Sequence, residues 1–369
     1  MRFKNAVALL AALTLLAAAC GGDDDDETSA EGGGDESSES SSGGGGTIDI
    51  DAILEADLEN CADAPTGDPI QVGMAMDFSD VVGFVDIPGS NLVPFLAELA
   101  NCSGGIDGRP VEVQVAEVGD DAALATQELL DWGAHFLIGP PFADFALPIL
   151  QTTAGEVPLF VAASTEPTLA DADINSYLVS FDDNQMSAAA AQWALDQGIT
   201  RAILFTEGEG VPYTGVNPDA FKVAFEEGGG EVVSEQTYVW ADDTDFSAQV
   251  NEIAGLSENN EVVFSAALAF QVTALRGQLE GQGLDGLTYL GTDALDASGI
   301  QGEEDNEGVV HTPHTSITAG DPIDTLLADY EAARGESLDS RGFMALYADS
   351  MFLGIQAILD CGCEEPAEI

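Results

Sequence analysis

Val157-Pro158-Leu159-Phe160-Val161-Ala162-Ala163-Ser164-Thr165 decides how the rest of the chain is read. It opens as a short apolar run, the pattern of a strand covered on both faces in a parallel sheet. It closes on two small residues and two hydroxyls, and Glu166-Pro167 stops the strand. In open α/β sheets ligands bind just beyond the carboxyl ends of strands, where backbone groups are no longer paired within the sheet. Small side chains let a ligand approach there, and Ser164 and Thr165 offer hydroxyl donors. The stretch predicts one wall of a ligand site between two lobes.

Outward from it, strand-like and helix-like segments alternate. Before it the pattern predicts strands at Ile70–Met76, Val111–Val118 and His135–Ile138, and helices at Asn91–Asn101, Ala122–Trp132 and Ala146–Thr153. After it, Tyr177–Phe181 reads as a fifth strand. A second series follows, with helices over Gln185–Gln197, Asp219–Glu227, Phe246–Leu256 and Gln271–Gly281. Its strands are Ala202–Phe205, Glu231–Trp240, Val262–Ala266 and Thr288–Gly291. Val309–Thr312 reads as a return strand, with helices near Pro322–Arg334 and Gly342–Leu359 behind it. Repeated β-α-β of this kind means parallel sheets wound by right-handed crossovers. The expected fold is α/β with two lobes, each a parallel sheet flanked by helices, joined at a hinge. The first lobe takes residues 47–183, the second 184–308, and 309–369 return to the first.

The chain has 369 residues, a formal charge of −59 and 67 acidic residues against eight basic ones. That balance excludes nucleic acid as a partner, since phosphate contacts need clustered Lys and Arg. Hydrophobic residues make up 45 % of the chain, enough for real cores, so the acidity reads as a solvated surface. It also hints at saline surroundings that screen self-repulsion.

Met1-Arg2-Phe3-Lys4 and the apolar run from Ala6 to Ala19 read as a signal peptide, too short to span a bilayer comfortably. Leu16-Ala17-Ala18-Ala19-Cys20 resembles a bacterial lipobox, with Cys20 the lipidated residue and 1–19 removed. Residues 20–46, rich in Gly, Ser and Asp, cannot bury a core and read as an acidic tether. Cys61, Cys102, Cys361 and Cys363 form an even set in an exported chain, which predicts two disulfides. Cys361-Gly362-Cys363 is too close for an easy mutual bridge, so each is expected to pair with Cys61 or Cys102.

Several stretches together resemble a known family, the solute-binding lipoproteins of ABC importers for branched-chain amino acids, type I periplasmic-binding proteins. Ala100-Asn101-Cys102-Ser103-Gly104-Gly105-Ile106-Asp107-Gly108-Arg109-Pro110 is similar to its helix-to-strand turn. Asp242-Asp243-Thr244-Asp245-Phe246-Ser247 is similar to a helix start, and Val157–Thr165 to the strand quoted above. The resemblance runs from about Ile70 to the end and implies two lobes that close on a small polar solute, an amino acid or related compound. It implies no enzyme activity and no cofactor. It also implies a monomer tethered by its lipid to the outer face of the cytoplasmic membrane, with ABC permease subunits as partners. A sensor that signals to a membrane partner without transport is the alternative.

Carried over by position, the resemblance implies ligand contacts at Ala163, Ser164 and Thr165, an aromatic wall at Tyr213, and an ammonium partner at Asp293. Ser79 lies in the loop after the first strand, and Phe142-Ala143-Asp144 face the same space. Here Ala143 stands in place of a hydroxyl, so a carboxylate ligand would lose a donor and meet Asp144. An aromatic expected near Ala267 is also missing. All four cysteines would fall in the first lobe. The family continues beyond a segment like Glu365–Ile369, so the chain is a short form or an incomplete sequence.

Plainer readings compete at each position. Ser164 and Thr165 suit a helix N-cap. Tyr213 would pack on its own lobe, and Asp293 would cap the next helix. Gly208-Glu209-Gly210 lacks the third glycine of a dinucleotide loop, and Pro313 spoils His311-Thr312-Pro313-His314 as a metal motif. The sequence has no G-x-S-x-G elbow, Walker loop or H-E-x-x-H.

Overall fold

The computed structural model describes residues 46–79, 83–119, 121–208, 212–239, 243–296, 308–338, 341–363 and 365–369. The signal segment, Cys20 and nearly all of the acidic tether lie outside these residues.

The apolar runs form two parallel sheets of five strands each. The first contains β1 (Ile70–Met76), β2 (Val111–Glu117), β3 (Phe136–Gly139), β4 (Leu159–Val161) and β5 (Ser176–Leu178), in the order β2-β1-β3-β4-β5. Its helices are α1 (Ile50–Leu54), α2 (Gly83–Cys102), α3 (Ala122–Trp132) and α4 (Ala143–Thr153). The second sheet contains β6 (Arg201–Glu207), β7 (Glu231–Tyr238), β8 (Val262–Ser265), β9 (Thr288–Gly291) and β10 (Val310–His311). Around it lie α5 (Asp183–Asp196), α6 (Pro212–Glu227), α7 (Ser247–Ala254) and α8 (Ala269–Gly281). Its order is β7-β6-β8-β9-β10, so both sheets place their first strand second from one edge. Two last helices, α9 (Pro322–Arg334) and α10 (Arg341–Cys361), pack on the first sheet.

Period-two alternation sorts each strand onto two cores. Phe136 and Ile138 of β3 face the core made with α2, α9 and α10, while Leu137 between them joins the core of α3 and α4. In β6, Ile203 and Phe205 pack with α7 and α8, whereas Ala202 and Leu204 pack with α5 and α6. Helices thus cover both faces, which is why these strands read as apolar runs without polar interruptions.

Three expectations are corrected. Val309–Thr312 does not start the return: Val310 and His311 pair with Leu290 and Gly291 of β9, so this strand belongs to the second sheet and the crossing follows it. The disulfides are Cys61–Cys102 and Cys361–Cys363. At Gly362 the chain adopts φ +61°, a left-handed turn open to glycine, and this brings Cys363 back to Cys361. Cys61, by contrast, lies beside the end of α2, where Ala62 donates its N–H to the Cys102 carbonyl. Finally, α2 begins at Gly83 rather than Asn91. It runs through Pro88 and Pro94, whose missing N–H groups argue against a helix, because an extensive buried face holds it in place. Helix α10 is as long and apolar as a membrane span, yet most of it lies inside the first lobe's core.

Candidate ligand site

The two sheets meet across a cleft of about 740 Å³, its open mouth included. Its lining comes from segments that follow the same three strands in each lobe. From the first lobe come Phe84 and Val85 after β1, Pro141 to Asp144 after β3, and Ala163 to Glu166 after β4, with Phe343 of α10. From the second come Tyr213 after β6, Leu268 after β8, Asp293 and Ala294 after β9, and Asp183 at the head of α5. Ligands of open α/β sheets occupy this place, at the carboxyl ends of strands.

Local chemistry explains how each segment reaches the cleft. Strand β4 ends at Val161, and Ala162 to Thr165 leave it buried but unpaired within the sheet. Glu166 then caps the short 3₁₀ turn Pro167–Leu169 by accepting from the Thr168 N–H, and its own N–H donates to Ser164 Oγ at 3.3 Å. At the other side of the crossing, Asp182 closes a capping box with Gln185, which starts α5 and leaves Asp183 turned to the cleft. Tyr213 sits in the first turn of α6.

A buried polar network runs behind these residues. Thr165 donates to Asp183 Oδ1 at 2.6 Å, and Asn217 Nδ2 donates to the same oxygen at 2.9 Å. Ser187 donates to Asn217 Oδ1 at 2.6 Å. Oδ2 of Asp183 has no hydrogen-bond partner, although the residue is fully buried. Burial, opposed by Thr165 and Asn217 and aided by Asp293 and Glu166, pushes the Asp183 carboxyl up to about 7.

Asp293 is differently placed. Tyr213 donates to its Oδ1 at 2.6 Å, and His314 Nε2 donates to its Oδ2 at 2.9 Å. Nδ1 of the same ring pairs with Ser180 Oγ at 2.5 Å, and the ring stacks on Phe181 and meets the edge of Phe343. The Tyr213 oxygen also pairs with Thr292 Oγ1 at 2.6 Å and accepts the Ala294 N–H at 3.3 Å. Burial, and after it the charge of Asp293, holds the Tyr213 hydroxyl well above its usual range.

Eight of the nine residues singled out for the ligand line the cleft together: Phe142, Ala143, Asp144, Ala163, Ser164, Thr165, Tyr213 and Asp293. Ser79 does not. It is exposed, and its N–H donates to Asp77 Oδ1 at 2.8 Å. Sequence reasoning missed Phe84, Val85, Glu166, Asp183, Leu268 and Phe343. The signal for Asp183 was the pair Asp182-Asp183 ahead of Gln185, where one acid suffices as a cap. Phe84 was hidden by the prolines of α2, and Phe343 by its distance along the chain.

Two α/β lobes of like strand order around a shared cleft define a two-lobed binding protein. The chain belongs to the periplasmic binding protein family, whose model matches residues 69–368. It is 30 % identical over 181 residues to Leu/Ile/Val-binding protein homolog 6 of Brucella abortus (strain 2308), a match over 47 % of this chain and 45 % of that one. The chain therefore spans about half the length of the curated relatives it matches. Among solved structures, it resembles the leucine-binding protein LivK from Thermotoga maritima, with a TM-score of 0.68 and 21 % identity over 81 % of this chain and 85 % of that one. It also resembles LivJ from Streptococcus pneumoniae in complex with isoleucine, with a TM-score of 0.64 and 20 % identity over 81 % and 86 %. A solute-binding protein from R. palustris in complex with benzoate gives 0.63 and 18 % over 80 % and 82 %. These likenesses establish the fold of the family.

Proposed function

We propose that this chain is the extracytoplasmic solute receptor of an ABC importer, capturing a small polar solute by closure of its lobes and passing it to a permease. The observation that carries this reading is the cleft itself, with walls from both lobes at equivalent strand ends. A solute touching both walls favours the closed state, because only that state satisfies contacts from each side. The relatives' own solutes, isoleucine in one structure and benzoate in another, agree with a small-molecule role.

The test is a thermal-shift screen of the folded body against amino acids, amides, amines and aromatic acids. A true solute at a hundred times its Kd adds about 2.7 kcal/mol of stability. Failure of every class to shift the melting transition overturns the reading. Tethering through Cys20 is part of the same proposal. Labelled fatty acid should enter the chain in a bacterial host, and Cys20→Ser should abolish that labelling; labelling that survives the substitution rejects the anchor.

A further inference from the structure

Four carboxylates line the cleft, Asp144, Glu166, Asp183 and Asp293, and no Lys or Arg does among the described residues. The segments outside the description between 46 and 369 contain no Lys or Arg either. Each base past residue 46 is engaged elsewhere. Arg201 pairs with Glu261, Lys222 with Glu235, Arg276 with Glu280, Arg334 with Glu98 and Arg341 with Asp324. Arg109 donates to the Asp68 carbonyl at 2.9 Å. A carboxylate solute would therefore meet four acidic side chains with no Lys or Arg to offset them.

Two of the three hydroxyls in the lining are committed, and Ser164, whose oxygen accepts the Glu166 N–H, keeps the third proton. Thr165 gives its proton to Asp183 and Tyr213 gives its own to Asp293. The amino end of α4 reaches the cleft, but its first turn carries Asp144, which answers the positive end of the helix. What the lining lacks, among the described residues, is a charged donor. Asp183 Oδ2 is buried without a partner, whereas both oxygens of Asp293 are already held by Tyr213 and His314. A buried carboxylate oxygen left unpaired is costly, and an ammonium N–H removes that cost. Around these acids the walls are apolar: Phe84, Phe142, Leu268 and Phe343.

We infer that the solute is an organic cation, an amine on an apolar body without a carboxylate, and that Asp183 anchors it. The inference rests on the proposed role of the cleft as a solute site and adds the class of solute. It moves the ammonium partner from Asp293 to Asp183. Asp293 becomes the group that holds Tyr213 and His314 in place and adds field. The groups facing Asp183 are Glu166, Asp293 and Tyr213, with His314 beyond Asp293. Ionised carboxylates here raise cation affinity, so binding strengthens as pH rises through about 7, where Asp183 titrates.

The test uses two matched sets of solutes that differ only in charge. One set is 2-phenylethylamine, phenylalanine and 3-phenylpropanoate; the other is 3-methylbutylamine, leucine and 4-methylpentanoate. Isothermal titration of the whole chain should rank amine above zwitterion above acid in at least one set. Asp183→Asn should weaken the amine by roughly thirtyfold or more, as expected for removing one partner of a buried charge pair, and leave the acid no weaker. A merely structural role for Asp183 would lower all three solutes together. Asp293→Asn provides a second variant and should cost the amine less than Asp183→Asn does. An amino acid or the acid binding as well as the amine overturns the inference and leaves the receptor reading standing. If neither these solutes nor the broad screen binds, both fall.

Discussion

Asp182 and Asp183 are adjacent carboxylates with opposite fates. Asp182 accepts the Gln185 N–H at 2.9 Å in water-facing surroundings, while Asp183 is buried against Thr165 and Asn217. A carboxyl shifted from its ordinary value of 3.8 up to about 7 holds a proton in the folded state that the unfolded chain releases. Its contribution to stability is fully present below about 4 and is lost as pH rises to about 7. Asp183→Asn removes this dependence, since the amide is neutral at every pH and its oxygen still accepts from both partners. The variant should therefore gain on the parent by up to about 4 kcal/mol as pH rises from 4 to 8, measured by denaturant melts at each pH. A constant difference would show that Asp183 does not titrate in that window. Neighbouring residues of one type cannot be told apart by pattern alone, which is why Asp183 was not legible beforehand. Thr165 was legible as a residue of the site, but not as a donor already committed to Asp183. What separates the residues is which of them loses its water, and that depends on the other lobe.

Between elements, the decisive contact joins the start of α2 to α10. Gly89 lies against the Tyr347 ring, where an added Cβ would come within 2.7 Å. The Tyr347 hydroxyl donates to Asp86, whose other oxygen accepts the Asp77 N–H at 2.6 Å at the end of β1. Burial pushes the Asp86 carboxyl up to about 8 against both of these hydrogen bonds. Helix α2, helix α10 and the tip of β1 are thus tied at the floor of the first-lobe wall. Gly89→Ala should destabilise the protein by about 1–3 kcal/mol through overpacking. Gly277→Ala, in the exposed middle of α8 with nothing within 4 Å of the new Cβ, should stabilise it by about 0.5–1 kcal/mol. Chemical denaturation of the two variants checks both signs at once. Strand positions were legible because burial on two faces leaves continuous apolar runs. The first part of α2 was not, because Pro88 contradicts a helix locally and packing against α10 outweighs it. The return point was missed for a related reason: β10 has two residues, too few for periodicity to assign it to either sheet.

Across the whole molecule, equivalence of the two lobes does most to place the site. Each sheet runs in the same order, so the loops after its first, third and fourth strands converge on one cleft. The chain crosses from β5 to α5 and again from β10 towards α9, and His314 in the second crossing pairs with Ser180 in the first. The charge of −59 acts on this body in two opposed ways. Self-repulsion among surface acids weakens the compact state, and salt relieves it, because the Debye length falls from about 30 Å at 0.01 M to about 3 Å at 1 M. The same field draws a cation to the cleft, and salt weakens that pull. Raising salt over this range should therefore raise the melting temperature of the free protein. Over the same range the association rate of 2-phenylethylamine should fall, as measured by stopped-flow tyrosine and tryptophan fluorescence. An amine rate that is indifferent to salt would mean that the net charge does not steer the solute. A melting temperature that falls with salt would mean that self-repulsion is not what limits stability. Opposite slopes in one protein separate the global charge from the buried anchor, since Asp183→Asn should reduce amine affinity while leaving the salt dependence of melting unchanged.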